Sequence, residues 1–199
     1  MRKDRKLVLL ESGTELLSEK TFSEISMDGL AERSGITKPM IYYYFGNKEG
    51  YFRALAKHLL STVRSMVMKV YDPELSLREN LLRYVRFRMK FVEEHPRLSR
   101  AFISMMRDPN IGMLIDEIQQ EFDTVRVEFV KPLFDKAEER GEIRPGVNSM
   151  MVMMMLNSLM VSYTLKKLGG VHAYKMDPVE VVDMIFHGIA NGGKDGAVR

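Results

Sequence analysis

The chain contains no cysteine. That excludes disulfides, thiolate metal ligands and cysteine nucleophiles, and it fits a reducing compartment. Long apolar runs are missing too. The longest, Met150 to Leu156, falls far short of the roughly 18 residues a membrane span needs. The N-terminal stretch MRKDRKLVLLESGTELL is basic, but Glu11 and Glu15 interrupt its apolar residues, so it lacks a signal peptide's continuous segment. A cytoplasmic location away from membranes is the expectation. No glycine loop that could cradle a phosphate, no nucleophile elbow and no H-E-x-x-H spacing occurs among His58, His95, His172 and His187. No catalytic residue, metal or cofactor is therefore expected, and an enzyme built from distant residues is the weak alternative.

What is present reads as a folded protein. Hydrophobic residues make up 45% and charged residues 29% of 199, enough for one larger domain or two small ones. Net charge is +3, with pI about 9.0. Arg2, Lys3, Arg5 and Lys6 against Asp4 make a short basic arm, which suits phosphate contact or simply a solubilising end.

Helical periodicity runs throughout, and no clear strand alternation appears. The fold class is all-α, with nine helices expected. Val8, Leu9, Ser12, Leu16 and Leu17 mark one face of the first. Ser26 is placed to cap a short helix, Met27 to Ser34, that Gly35 ends. Thr37 caps a third, with Pro39 tolerated in its first turn. Asn47 caps a fourth, running to about Tyr71 before Asp72-Pro73. Ser76 and Glu79 form a capping box for a fifth, which ends near His95-Pro96. A short sixth follows, Pro96 to Met106. Ile111, Leu114, Ile115, Ile118, Phe122, Val125 and Phe129 predict a long amphipathic helix that Pro132 kinks and Gly141 ends. The last two helices span about Ser149 to Leu168 and restart at Asp177-Pro178, with residues after Asn191 frayed.

Helices two and three have a helix-turn-helix layout. Leu30, Ala31, Ile36 and Ile41 close a small core around the Gly35 turn. The second helix of such a pair places its N-terminal residues in the DNA major groove. Here these are Thr37, Lys38, Pro39 and Met40, then Tyr42 and Tyr43 one turn on. Lys38 can donate to guanine, Pro39 and Met40 can pack on thymine methyls, and tyrosine hydroxyls can donate to phosphate. Thr37, Lys48 and Ser26, at helix N-termini, also suit phosphate. Three consecutive tyrosines cannot share one face at about 100° per residue. Ile41, Tyr44 and Phe45 read as core, and Tyr42 and Tyr43 as exposed.

Over Val8 to Leu55 the sequence resembles the TetR family of transcriptional regulators, with Tyr42, Phe45, Lys48 and Glu49 matching its Y-x-x-F-x-x-K-E ending. The resemblance implies a helix-turn-helix domain at 1–50 and a ligand-binding and dimerisation domain at 51–199. It also implies a homodimer on a palindromic double-stranded operator, released by a small apolar or amphipathic effector. Repression is the expected direction, and a DNA-binding protein without an effector is the alternative. The fourth helix, joining the two domains, is the expected lever. The chain departs from the family at Thr21, where a glycine is usual and a left-handed turn would suffer. Gly29 and Gly50 sit where better helix formers are usual, which suggests a looser DNA domain.

In the C-terminal half, MMVMMMLNSLMV at Met150 to Val161 holds six of the 17 methionines. A helix apolar on nearly all sides must be covered on nearly all sides. With the stripe Val179, Val182, Phe186 and Ile189, it points to a dimer interface that includes Met151 and Met155, against the alternative of internal core. Methionines such as Met154 also suit a ligand cavity. Arg83, Arg86, Lys90 and Glu93 form a solvated stripe that Arg88 does not join. Arg88 faces inward and needs a partner. Either it pairs with Asp116, Glu117 or Glu121, or it meets an anionic or polar effector among Phe87, Phe91, Phe102, Met105, Phe122, Met154 and Tyr163.

Overall fold

A computed structural model of the chain describes residues 4–169 and 175–189, and every element among them is helical. In order these are α1 Arg5–Leu17, α2 Met27–Ser34, α3 Lys38–Phe45, α4 Lys48–Met68, α5 Leu77–Glu94 and α6 Pro96–Met106. Then come a 3-10 turn at Ile111–Leu114, α7 Ile115–Val125, a π turn at Arg126–Val130, α8 Lys131–Glu139, α9 Ser149–Leu168 and α10 Pro178–Ile189. Because α7, the π turn and α8 follow without a break, the described residues form nine rods, the expected number. Arg2, Lys3, His172 and the segment after Asn191 lie outside the described residues.

Local chemistry sets the boundaries. Ser26 Oγ accepts the Gly29 N–H at 3.0 Å, and Asn47 Oδ1 accepts that of Gly50 at 2.7 Å, so both expected N-caps form. Ser76 and Glu79 close their capping box, with Ser76 N–H to Glu79 Oε2 at 3.0 Å and Glu79 N–H to Ser76 Oγ at 3.2 Å. Asp177 Oδ1 accepts from Val179 N–H at 2.8 Å and starts α10.

The kink expected at Pro132 takes a specific form. Proline has no N–H, and its ring crowds the carbonyl four residues back. The turn before it widens, and the Lys131 N–H reaches the carbonyl of Arg126, five residues away. The long amphipathic helix expected from Ile111 instead begins with a tight 3-10 turn.

The turn at Thr21 is also a local solution. No described non-glycine residue has a positive φ. The Thr21 N–H and hydroxyl both donate to Glu24 Oε2 at 2.8 Å, a capping-box arrangement that replaces a left-handed turn. These bonds hold the Glu24 carboxyl below the usual carboxylate range.

The chain divides into two compact units. The first contains the residues up to Arg64 together with Glu93–Phe122, and the second contains Ser65–Val92 and the residues from Asp123 on. In the first unit α1, α2, α3, α4 and α6 share one core that includes Leu9, Leu17, Ile25, Leu30, Ile41 and Phe52, all under 2% exposed. Glycine makes this core possible at one point. Tyr51 is fully buried and its hydroxyl donates to the Leu9 carbonyl at 2.9 Å. A Cβ on Gly13 would lie 1.9 Å from that hydroxyl. In the second unit, α5, α8, α9 and α10 contribute Leu81, Val85, Phe134, Leu156, Met160 and Val182 to the buried set.

Candidate nucleic-acid interface

The helix-turn-helix lies wholly within the first unit. Leu30 and Ile41 are fully buried, while Ala31, Ile36, Tyr44 and Phe45 pack against the same core. Gly35, at φ 66°, makes the left-handed turn between α2 and α3 that a side chain would resist. Arg33 fixes α2 from behind by reaching Glu19 at 3.0 Å and Glu15 at 3.4 Å. The Arg33 hydrogen bond holds the Glu19 carboxyl below its usual range.

With the inner side of α3 committed, its outer side is defined. Pro39, Tyr42 and Tyr43 follow at i, i+3 and i+4 and are exposed, Tyr42 by 39% and Tyr43 by 79%. The Tyr43 ring meets Tyr44 edge-on at 5.5 Å, which orients it without covering it. Thr37 is exposed and its hydroxyl makes no capping bond, so it remains available as a donor. Met40 is half-buried at the edge of this face. Ser26 is exposed, and although its oxygen caps α2 its hydroxyl proton is left to give.

The two lysines behave differently from each other. Lys38 Nζ is 2.8 Å from Asp28 Oδ2, and that hydrogen bond raises the ammonium pKa above its usual value. Binding DNA through Lys38 therefore means exchanging one anion for another at a solvated site. Lys48 Nζ donates to the Ser23 carbonyl at 3.1 Å and sits 5.0 Å from the Phe22 ring centre. Expected as a phosphate contact, it already ties the start of α4 to the turn before α2. Lys6, from the basic arm, lies 5.7 Å from the Phe45 ring centre.

Sequence reasoning missed Asp28, because nothing in a ten-residue separation pairs it with Lys38. It also missed a clamp on the turn before α2. There Asp108, 1% exposed, accepts from the Ser23 N–H at 3.3 Å, and Asn110 Nδ2 donates to Ser23 Oγ at 3.0 Å. The clamp comes from the Asp108-Pro109-Asn110 turn, 85 residues away, a separation at which no local signal operates. Of the two glycines thought to loosen this domain, Gly50 stands in close packing that excludes a side chain, and Gly29 has only Ser26 Oγ nearby, at 3.1 Å. Both stand in the first turn after a cap, and a Cβ on Gly50 would meet the Phe45 carbonyl oxygen at 2.2 Å.

Residues 9–55 match the family described as bacterial regulatory proteins, tetR family. The helix-turn-helix segment is therefore of the TetR type. The chain is 25% identical over 143 residues to the uncharacterized HTH-type transcriptional regulator YhgD of Bacillus subtilis, covering 71% of this chain and 73% of that protein. To the HTH-type transcriptional regulator EthR of Mycolicibacterium smegmatis it is 32% identical over 106 residues, which spans 49% of this chain but only 46% of that one. The fold is shared with a putative TetR family protein from Vibrio parahaemolyticus at TM-score 0.76 and 19% identity, covering 94% of this chain and 99% of that one. It is also shared with the regulator FadR from Bacillus subtilis in complex with stearoyl-CoA, at TM-score 0.70 and 16% identity, covering 91% and 95%.

The residues expected to line a ligand pocket are divided between the two units. Phe102 and Met105 belong to the first unit, where the apolar stripe of α6 closes over α1. Phe122 is 52% exposed in that same unit, and Met154 is 62% exposed on α9. Phe87, Arg88, Phe91 and Tyr163 remain in the second unit. Arg88 makes no ion pair with Asp116, Glu117 or Glu121. Glu117 instead takes Arg53 at 3.0 Å, and Glu121 takes Arg64 at 2.8 Å. No helix among the described residues is long and apolar enough to cross a membrane.

The expected dimer residues also divide. Met151 and Met155 are 60% and 56% exposed, Val179 and Phe186 are half-buried, and Val182 and Ile189 are buried within their own unit. Val182 and Ile189 serve their own core, Val179 and Phe186 do so only in part, and Met184 on the same helix is 74% exposed. Met155, Leu159, Met184 and Ile185 line an open groove of about 650 Å³ between α9 and α10.

Proposed function

We propose that this regulator is a homodimeric repressor that leaves a palindromic operator when a small apolar or amphipathic effector binds. Residues 1–50 act as the DNA-binding head and residues 51–199 as the sensing and dimerising part. The carrying observation is the outer face of α3. Pro39, Tyr42 and Tyr43 are exposed there while Ile41, Tyr44 and Phe45 hold the helix from inside. Tyr42, Tyr43, Ser26 and Thr37 contact phosphate, and Lys38, Pro39 and Met40 face the bases.

Dimerisation is supported by the apolar face of α9 and α10. Met151, Met154, Met155 and Met184 are each more than half exposed. Such a cluster marks an interaction surface, and a second copy of the same face is the simplest cover. Effector binding is supported by a protein of the same fold, FadR of B. subtilis, which was solved with stearoyl-CoA. An effector releases DNA only if it binds better to a form whose heads fit the operator worse.

The test is selection of bound fragments from randomised duplex DNA at about 0.15 M salt, since phosphate binding is strongly salt-dependent. The protein is first denatured and refolded to remove any ligand. An enriched inverted repeat is expected. A folded protein that enriches no sequence contradicts the proposal.

A further inference from the structure

In the second unit a cation stands without an anion. Tyr84, Arg88 and Phe91 follow at i, i+4 and i+7 and share one face of α5. Arg88 is half-buried. Its Nη1 donates to the Tyr84 hydroxyl at 2.9 Å and to Asn157 Oδ1 at 3.1 Å. The Tyr84 hydroxyl itself donates to Asn157. Both acceptors of the guanidinium are neutral, and no carboxylate among the described residues pairs with it. The planar group lies 5.8 Å from the Tyr84 ring centre, and its Nε and Nη2 edge has no acceptor among the described residues.

A second donor waits beside it. The Tyr71 ring stacks against Tyr84 at 6.3 Å and Phe129 at 6.4 Å. The Tyr71 hydroxyl is buried and has no hydrogen-bond partner. Burial pushes its pKa up, so it keeps its proton, and the Arg88 charge is near enough to act on it. The Tyr71 hydroxyl lacks any acceptor and carries an unrelieved desolvation cost, and the half-buried Arg88 cation has only neutral acceptors and no counter-charge. An anion would supply the acceptor that Tyr71 lacks and the counter-charge that Arg88 lacks.

We infer that Arg88 and Tyr71 form the head-group site for the effector, and that the effector is a carboxylate on an apolar body. This rests on the ligand-responsive reading above. A guanidinium edge matches the two oxygens of a carboxylate. Tyr71 supplies one further donor, while Tyr84 and Asn157 hold the fork in place. A phosphate would bring more oxygens than these donors satisfy. Phe91, and Phe87 at 5.6 Å from it, extend the same stretch of α5 as a bed for the apolar body.

The test uses the full-length protein, refolded to strip ligand, with its selected duplex. Duplex binding is read first. Its absence removes the regulator reading and is a separate result. Straight-chain acids from hexanoate to palmitate, phenylacetate and the matching alcohols and alkyl phosphates are then added, with melting temperature and duplex release as readouts. At least one acid should stabilise the protein and release the duplex, with its alcohol and phosphate ~10-fold weaker or more. Arg88→Met should lose at least ~10-fold in response to that acid, and Tyr71→Phe roughly 3-fold, with duplex affinity retained in the absence of ligand. Arg88→Lys, which keeps the charge and loses the fork, serves if Arg88→Met does not fold. Release by the alcohols alone leaves the ligand-responsive reading standing and overturns the carboxylate site. So does no response to any acid, or an unchanged response in the Arg88 variants.

Discussion

Two parts of this chain expose large apolar side chains, and they differ in what those side chains carry. On the outer face of α3, Tyr42 and Tyr43 present rings that end in hydroxyls. On α9 and α10, Met151, Met154, Met155 and Met184 present thioethers, which are weak acceptors and no donors. A donor-bearing ring suits a phosphate oxygen. A flexible thioether suits another apolar surface of adaptable shape. The proposed DNA face and the proposed dimer face are alike in exposure and differ in their terminal atoms.

The interiors behind these faces differ as well. The helix-turn-helix unit is tight to the point of needing glycine, with a Cβ on Gly13 or Gly50 driven against Tyr51 or the Phe45 carbonyl. The second unit holds the Tyr71 hydroxyl, buried without a partner, and Arg88, whose acceptors are both neutral, while in the first unit the Ser99 hydroxyl is likewise buried without a partner.

The sharpest challenge to the comparison is charge on the thioether face. Met151→Glu with Met155→Glu should raise the dimer dissociation constant by roughly 100-fold or more, because two carboxylates per subunit would be buried unpaired. Sedimentation velocity reads this. An unchanged dimer would mean that the methionine face is not the interface. Next in size, Gly50→Ala should lower stability by about 1–3 kcal/mol through overpacking against backbone. Gly29→Ala meets only Ser26 Oγ at 3.1 Å and should cost less in the same melting experiment. Tyr43→Ala should weaken operator binding by ~10-fold, about 1.4 kcal/mol, with no change in melting temperature. Tyr43→Phe then separates the hydroxyl from the ring. Ser26→Ala should cost about 1 kcal/mol of stability through loss of the α2 cap.

The smallest effect is a pH dependence. Burial would push the Glu117 carboxyl up, but the hydrogen bond from Arg53 and the nearby charges of Arg53 and Lys57 leave it below its usual value. A carboxyl lowered in the folded state stabilises above its unfolded pKa and loses that contribution as pH falls through the folded one. Glu117→Gln should therefore be less stable than the parent at neutral pH, and the difference should shrink below about pH 4.5. Thermal melts across pH 3 to 7 would show a constant gap if this ion pair contributes nothing.

The helix boundaries and the inside–outside division of α3 were legible because caps, glycines and periodicity act within a few residues. Ser26, Asn47, Ser76 and Asp177 each cap the helix they were expected to start. The Ile41-Tyr44-Phe45 interior and the Tyr42-Tyr43 exterior follow from helical spacing alone. What was not legible depends on distant partners. Lys48 was read as a phosphate contact at a helix N-terminus, but its bond to the Ser23 carbonyl, 25 residues away, had no local signal. Val182 and Ile189 looked like interface because one stripe on a last helix can face either its own subunit or another. Phe102 and Met105 looked like sensor residues because sequence order does not reveal that α6 folds back onto α1. Arg88 was legible as an inward cation, but its neutral partners, Tyr84 and Asn157, were not.

The most direct test of the account is the stoichiometry and footprint of the protein on its selected duplex, by sedimentation and hydroxyl-radical cleavage. Two protomers should protect two half-sites whose centres lie about one turn, roughly 34 Å, or a multiple apart. The Met151→Glu, Met155→Glu protein should lose that paired footprint while each head still protects one half-site weakly. A single protomer protecting one half-site, with affinity unchanged by the methionine substitutions, would contradict the division of labour between the two exposed faces.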